Sequence, residues 1–73
     1  MAREVPIRGD VIRLGQLLKL AGVVDGGGDV KRFLADNEVL VNGEIEARRG
    51  RQLHPGDEVC IAGDLVRLVV PPS

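Results

Sequence analysis

The spacing of hydrophobic positions changes along the chain, and each change marks an element. Residues 3–8 alternate loosely, with Val5 and Ile7 on one side and Arg3 and Arg8 near the ends. Alternation predicts a strand, and Pro6, which has no N–H to give a ladder, assigns it to a sheet edge. Gly9-Asp10 is a turn pair. Leu14, Leu17, Leu18 and Ala21 then fall at i, i+3, i+4 and i+7, one face of a helix over about residues 13–21. Asp10 is a better capping residue than Arg13, so the helix start is open between them, whereas Gly22 gives a clear stop. Val23 and Val24 form an apolar link expected to be buried. After a loop at residues 25–28, Val30, Phe33 and Leu34 repeat at helical spacing and predict a second helix over about residues 29–36. Asp29 suits its first turn, facing the positive end of the helix dipole, and Asn37 suits a left-handed stop.

From residue 39 onward the period is that of strands. Val39-Leu40-Val41 and Ile45-Glu46-Ala47 flank Asn42-Gly43, a pair that tolerates the positive φ angles of a type I′ turn and so predicts a hairpin. His54-Pro55-Gly56-Asp57 fits a type II turn, with Pro setting one central φ and Gly taking the positive one. Strands over residues 58–62 and 65–70 form a second hairpin turning at Gly63-Asp64. Val59 and Ile61 share one face of it, as do Val66, Leu68 and Val70. Strand, helix, helix and four strands amount to an α+β fold, with two short antiparallel helices packed on a small, mostly antiparallel curved sheet. The expected core is Leu14, Leu17, Leu18, Ala21, Val30, Phe33, Leu34, Val39, Val41, Val59, Ile61 and Leu68.

Composition narrows the functions open to such a fold. With 73 residues this is one domain near the lower size limit for a self-sufficient core, and Phe33 is the only aromatic residue. Without Trp or Tyr there is no platform for stacking single-stranded bases. Cys60 is the only cysteine, which excludes an internal disulfide and a cysteine-based zinc site. No apolar run reaches the roughly 18 residues of a membrane span, and the first residues lack a secretory apolar segment, so a cytoplasmic location is expected. Ten cations nearly balance eleven acids, giving a net charge of -1. A polyanion would therefore be bound only if the charges segregate in space.

Two stretches carry candidate chemistry. The run Gly26-Gly27-Gly28 precedes the second helix, where backbone amides without Cβ atoms nearby can take a phosphate; the alternative is a plain connector. It is not a nucleotide-binding P-loop, because it follows a helix and no Gly-Lys-Ser/Thr ends it. Arg48, Arg49 and Arg51 put three guanidinium groups in four residues, either as phosphate ligands or as a solvated loop. Lys31 and Arg32 add cations upstream, on opposite flanks of their helix. Asp36, Glu38, Glu44 and Glu46 offset them in sequence, towards the helix end and the hairpin tip. His54 stands alone beside its turn, and Cys60 reads as strand packing. No nucleophile, acid/base or metal-ligand set can be assembled, so no enzyme activity and no cofactor are expected.

Arg13-Leu14, Leu17-Leu18-Lys19 and Lys31-Arg32-Phe33-Leu34, leading into Glu38-Val39-Leu40-Val41-Asn42-Gly43, resemble the RNA-binding domain named after small-subunit ribosomal protein S-four, or alpha-L motif. The Val-Leu-Val-Asn-Gly-Glu segment and the later Pro-Gly-Asp turn are its most specific part. The match runs over about residues 13–57, with flanking strands over 3–8 and 58–70, and residues 1–73 are read as a single such domain. The pattern is similar to short, free-standing YbcJ-like bacterial proteins. The resemblance implies structured RNA, ribosomal or transfer RNA first, held across the helix starts and the adjoining strand by a monomer. Carried over, the contacting positions are Arg13, Gly26, Gly27, Gly28, Lys31, Arg32, Arg48, Arg49 and Arg51. Many members have Ser-Arg where this chain has Gly26-Gly27, which shifts the expected binding towards backbone amides and the downstream arginines. The alternative is a module that docks on a ribosomal protein or an RNA-modifying enzyme.

Overall fold

The computed structural model describes residues 2–72. In chain order the elements are β1 (Arg3–Pro6), β2 (Ile12–Arg13), α1 (Leu14–Leu20), α2 (Gly27–Asp36), β3 (Val39–Val41), β4 (Glu44–Ile45), β5 (Gln52–Leu53), β6 (Glu58–Ile61) and β7 (Asp64–Val69). Five strands make one sheet in the order β1-β7-β6-β3-β4, and β2 and β5 make a separate two-stranded ribbon. Only β1 and β7 run parallel; the other pairs are antiparallel. This is the expected α+β architecture, with the Pro6-bearing strand at one edge.

The inner face of the sheet is Val5, Val39, Val41, Val59, Ile61, Val66 and Leu68, all buried, and Leu14, Leu17, Leu18, Val30 and Leu34 cover it from the helices. Ile7, Val24 and Leu53 complete the core; Val24 is buried as expected of its link, whereas Val5, Ile7, Leu53 and Val66 stand outside the expected set. Ala21 and Phe33 belong to that set but are only half-buried. Phe33 packs on the core from its margin, so Phe33→Ala should cost less than the roughly 3–5 kcal/mol of emptying a fully buried aromatic site. Val23, expected inside, is exposed, as is Val70 beyond the end of β7.

Both helices end differently from each other. After α1, Gly22 has φ +80° and donates to the Lys19 carbonyl, while Val23 N–H reaches the Leu18 carbonyl at 3.1 Å. This paired closure needs a left-handed residue, and glycine adopts it without a Cβ clash. Asn37 does not act as a left-handed stop. It is extended (φ -130°, ψ 145°), and its side-chain amide and backbone N–H both donate to the Phe33 carbonyl. The chain must leave α2 directly into β3, and an extended residue does that without a turn.

Asn42 (φ 51°) and Gly43 (φ 87°) make the expected two-residue turn. Gly56 (φ 98°) and the Asp57 N–H to His54 carbonyl bond make the Pro-Gly turn. The last hairpin turns one residue earlier than expected, at Ala62-Gly63, because Ile61 pairs with Asp64. The far end sets that register. Gly56 N–H donates to the Leu68 carbonyl, Leu68 N–H donates to the Asp57 carbonyl, and Glu58 faces Arg67 at 2.9 Å. Ala62 consequently sits at φ 51°, a conformation costing an alanine roughly 1–2 kcal/mol.

The two turns that open β4 and β6 are tied together. Asn42 Nδ2 donates to Asp57 Oδ1 (3.1 Å), Glu58 N–H donates to Asn42 Oδ1 (2.9 Å), and His54 N–H donates to Asp57 Oδ2 (2.8 Å). Partial burial raises the Asp57 pKa, but the His54 N–H and the Asn42 amide outweigh it and hold the carboxyl below its ordinary range. Asn42 and Asp57 are thus a staple between hairpins.

Candidate nucleic-acid interface

The arginine loop is fixed to the scaffold through its carbonyl groups. The first N–H groups of any helix lack intrahelical acceptors. At the start of α1, Leu14 N–H donates to the Arg51 carbonyl and Gly15 N–H to the Arg49 carbonyl, both at 2.9 Å. Arg13 precedes the first turn with extended backbone, and its N–H donates to Gln16 Oε1 at 3.0 Å. Asp10 plays no part in the cap. Gly15 lets the loop approach this closely: a Cβ there would lie 3.3 Å from Val30 Cγ1 and 3.5 Å from the Arg49 carbonyl oxygen. The β2–β5 ribbon, which pairs Arg13 with Gln52, continues the same attachment. A two-residue strand carries too little alternation to be seen in sequence.

The three guanidinium groups have different surroundings. Glu46, expected at the hairpin tip, is instead tucked beneath the loop and only 7% exposed. It accepts from Arg48 Nε (3.0 Å), Arg48 Nη2 (3.2 Å), the Arg48 backbone N–H (3.1 Å) and Arg51 Nη1 (2.9 Å). The Arg48 side chain, then the Arg48 N–H and Arg51, hold the Glu46 carboxyl down at about 2 despite its burial. Arg48 and Arg51 line a groove with Gly50, Gln52 and His54. Arg49 points elsewhere. It lines one groove with Arg13, Gln16 and Lys19, and another with Lys31, Leu34, Ala35 and Ala47. None of these three grooves has an aspartate or glutamate in its lining.

Helix α2 divides its charges between two stripes. Residues three and four apart share a helix face, so Lys31 falls beside Leu34 and Ala35, whereas Arg32 falls beside Asp29 and Asp36. Accordingly Arg32 lines a groove with those two acids, Val23, Val24 and Phe33, away from Arg49. Arg32 is therefore not brought together with the other cations.

The glycine run is not a loop. Gly26 is the residue before the first turn, with extended backbone and no side-chain cap, and the helix begins at Gly27. A Cβ on Gly26 or Gly28 would meet nothing within 4 Å, and neither has a positive φ. Neither conformation nor packing thus requires glycine at those two positions. The start of α2 is open on its outer side.

Arg13, Lys31, Arg48, Arg49 and Arg51 all border grooves without acids, and Lys19 joins them. Lys19 escaped the sequence reading, although Arg13, Gln16 and Lys19 at three-residue spacing form one stripe. Glu46 escaped too, since a glutamate between Ile45 and Ala47 reads as the outward position of a strand. Among the described residues no group of three or more His, Cys, Asp and Glu side chains is arranged to hold a metal ion. Among the described residues no helix is long and apolar enough to cross a membrane.

Comparison with known proteins gives a consistent result. The family described as the S4 domain matches residues 5–69. A Bacillus subtilis protein named "Probable ribosome maturation protein RlbA" is 52% identical over 63 residues, covering 86% of this chain and 89% of the relative. An Escherichia coli protein named "Putative RNA-binding protein YbcJ" is 34% identical over 58 residues, covering 80% of this chain and 83% of the relative.

Proposed function

The chain belongs to the S4 domain family, and from that premise we propose that it is a small, non-catalytic RNA-binding module of the cytoplasm. It grips structured RNA, ribosomal or transfer RNA, through phosphates and helical shape. The observation that carries this reading is a set of three grooves without an acid in their linings, two of them joining Arg49 to Arg13, Lys19 and Lys31 and the third lined by Arg48 and Arg51. A chain of net charge -1 thereby presents a local positive surface. Ribosome maturation and RNA binding, in the names of the two relatives, point the same way.

The test is a titration of a labelled RNA hairpin at several salt concentrations. The wild type should bind with an affinity that falls steeply as salt rises, because each neutralised phosphate releases counterion. Arg49→Ala should weaken binding to hairpins of unrelated sequence alike and reduce the salt slope by about one phosphate contact. Wild-type behaviour in this variant would remove Arg49 from the interface. A second reading, docking on a ribosomal protein or an RNA-modifying enzyme, is favoured by exposed Val11 and Leu20, which share a groove with Pro6, Ile7 and Ile12. Failure of the wild type to bind any hairpin would favour it.

A further inference from the structure

We propose that Glu46, an acid, is a positioning residue for RNA binding: it presets Arg48 and Arg51 as a rigid phosphate fork. The inference rests on the arginine loop being an RNA-contact surface. Glu46 is the one buried charged residue among the described residues. Its backbone is anchored, since its N–H donates to the Val39 carbonyl at 2.8 Å. Its carboxylate takes two parallel N–H groups of Arg48 and one of Arg51. Arginine carries more N–H donors than these bonds use, so both guanidinium groups keep donors for a second acceptor. The Arg48 side chain is 77% exposed and that of Arg51 36%, whereas the carboxylate lies behind them. A phosphate entering the groove beside His54 would meet the outer edges of both guanidinium groups. The Arg49 side chain accepts no such restraint among the described residues.

Two effects of Glu46 oppose each other. Its negative charge weakens the attraction of the loop for a phosphate. Its hydrogen bonds remove rotamer freedom from two long side chains before RNA arrives, which lowers the entropy lost on binding. Burial decides between them, because the carboxylate is screened from the ligand by the very groups it orders. A purely electrostatic account therefore expects Glu46→Gln to tighten RNA binding, and the positioning account expects the reverse.

The experiment titrates a labelled RNA hairpin with wild type, Glu46→Gln and Arg49→Ala at several salt concentrations, with circular dichroism to score folding. Glu46→Gln should bind about tenfold more weakly although it removes an acid, a loss equivalent to the ordering of one or two long side chains. Its salt slope should drop by more than that of Arg49→Ala, since two phosphate contacts become disordered rather than one. Equal or tighter binding by folded Glu46→Gln overturns the positioning role while leaving RNA binding intact. Absence of binding by the wild type overturns both. Should Glu46→Gln fail to fold, NMR of the arginine Nε–H groups in the unmutated protein decides. The Arg48 signal should be ordered and slow to exchange and that of Arg49 averaged; equal mobility overturns the proposal.

Discussion

The two helices begin in opposite ways. At α1 the free amides are consumed by the Arg49 and Arg51 carbonyls, and a glycine at position 15 lets the loop lie against the helix. At α2 the first residues have no side-chain cap, and a Cβ on Gly26 or Gly28 would face open space. The same backbone polarity is thus used once to build the scaffold and once left without a side-chain cap. The loop supplies carbonyls inward and guanidinium groups outward, so one segment serves both purposes. RNA would accordingly meet the side chains around α1 but the backbone of α2.

The largest effect separating these two starts is expected from a bulky residue at each. Gly15→Val puts atoms where Val30 and the Arg49 backbone already are, and overpacking of this kind costs about 1–3 kcal/mol. It should also lift the arginine loop from α1 and weaken RNA binding by the molecules that remain folded. Gly28→Val meets nothing within 4 Å and replaces a poor helix former, so its stability should stay within about 0.5 kcal/mol of wild type. Urea unfolding of both variants is the check. Equal stabilities would mean that the two helix starts do not differ as described.

How far each start was legible in sequence follows from what kind of signal it left. The apolar stripes of both helices, the Asn42-Gly43 turn and the Pro55-Gly56 turn rest on local periodicity or local φ preference, and local patterns are written in adjacent residues. The attachment of the loop to α1 joins residues far apart in the chain through backbone atoms, which carry no residue code. Gly15 was the one local trace, a glycine inside a helical stripe. Glu46 was misplaced for a related reason: strand alternation says which side a residue faces, but not that two arginines fold back over it. Asn42 and Asp57, the most specific part of the family resemblance, prove to hold two turns together. Motif strength marked a structural staple, whereas the basic surface came from residues with weaker individual signals.

A smaller effect is expected from pH, and it sharpens the contrast on the α1 side. Glu46 titrates at about 2 in the folded chain against an ordinary value of 4.5. Above about 4.5 the carboxyl is ionised in both folded and unfolded chains, and its full contribution to stability is present. As pH falls from there towards 2, the unfolded chain binds a proton that the folded chain refuses, so stability declines. Asp57, also held below its ordinary range, acts in the same direction. The thermal midpoint should therefore drop between pH 5 and pH 2, and Glu46→Gln should flatten part of that drop. A midpoint for Glu46→Gln that tracks wild type across the window would show that the loop is not secured through this carboxylate.

The smallest change in stability should accompany a change of opposite sign in binding, at the start of α2. Gly28→Glu removes a flexible residue from a helix and sets a carboxylate in the first turn, where the dipole favours it by about 0.3–1 kcal/mol. Space is open there, so no steric clash offsets the gain. The new carboxylate would also lie one turn from Lys31 and Arg32 and would compete with any phosphate bound before the amides. The protein should become slightly more stable and bind the RNA hairpin more weakly. Gly28→Ala provides the control, with the gain in stability but no added charge, and its affinity should stay near wild type. Thermal melts and hairpin titrations of the two variants give both readouts. If Gly28→Glu binds like wild type, the α2 amides make no phosphate contact, and the interface contracts to the grooves around Arg49.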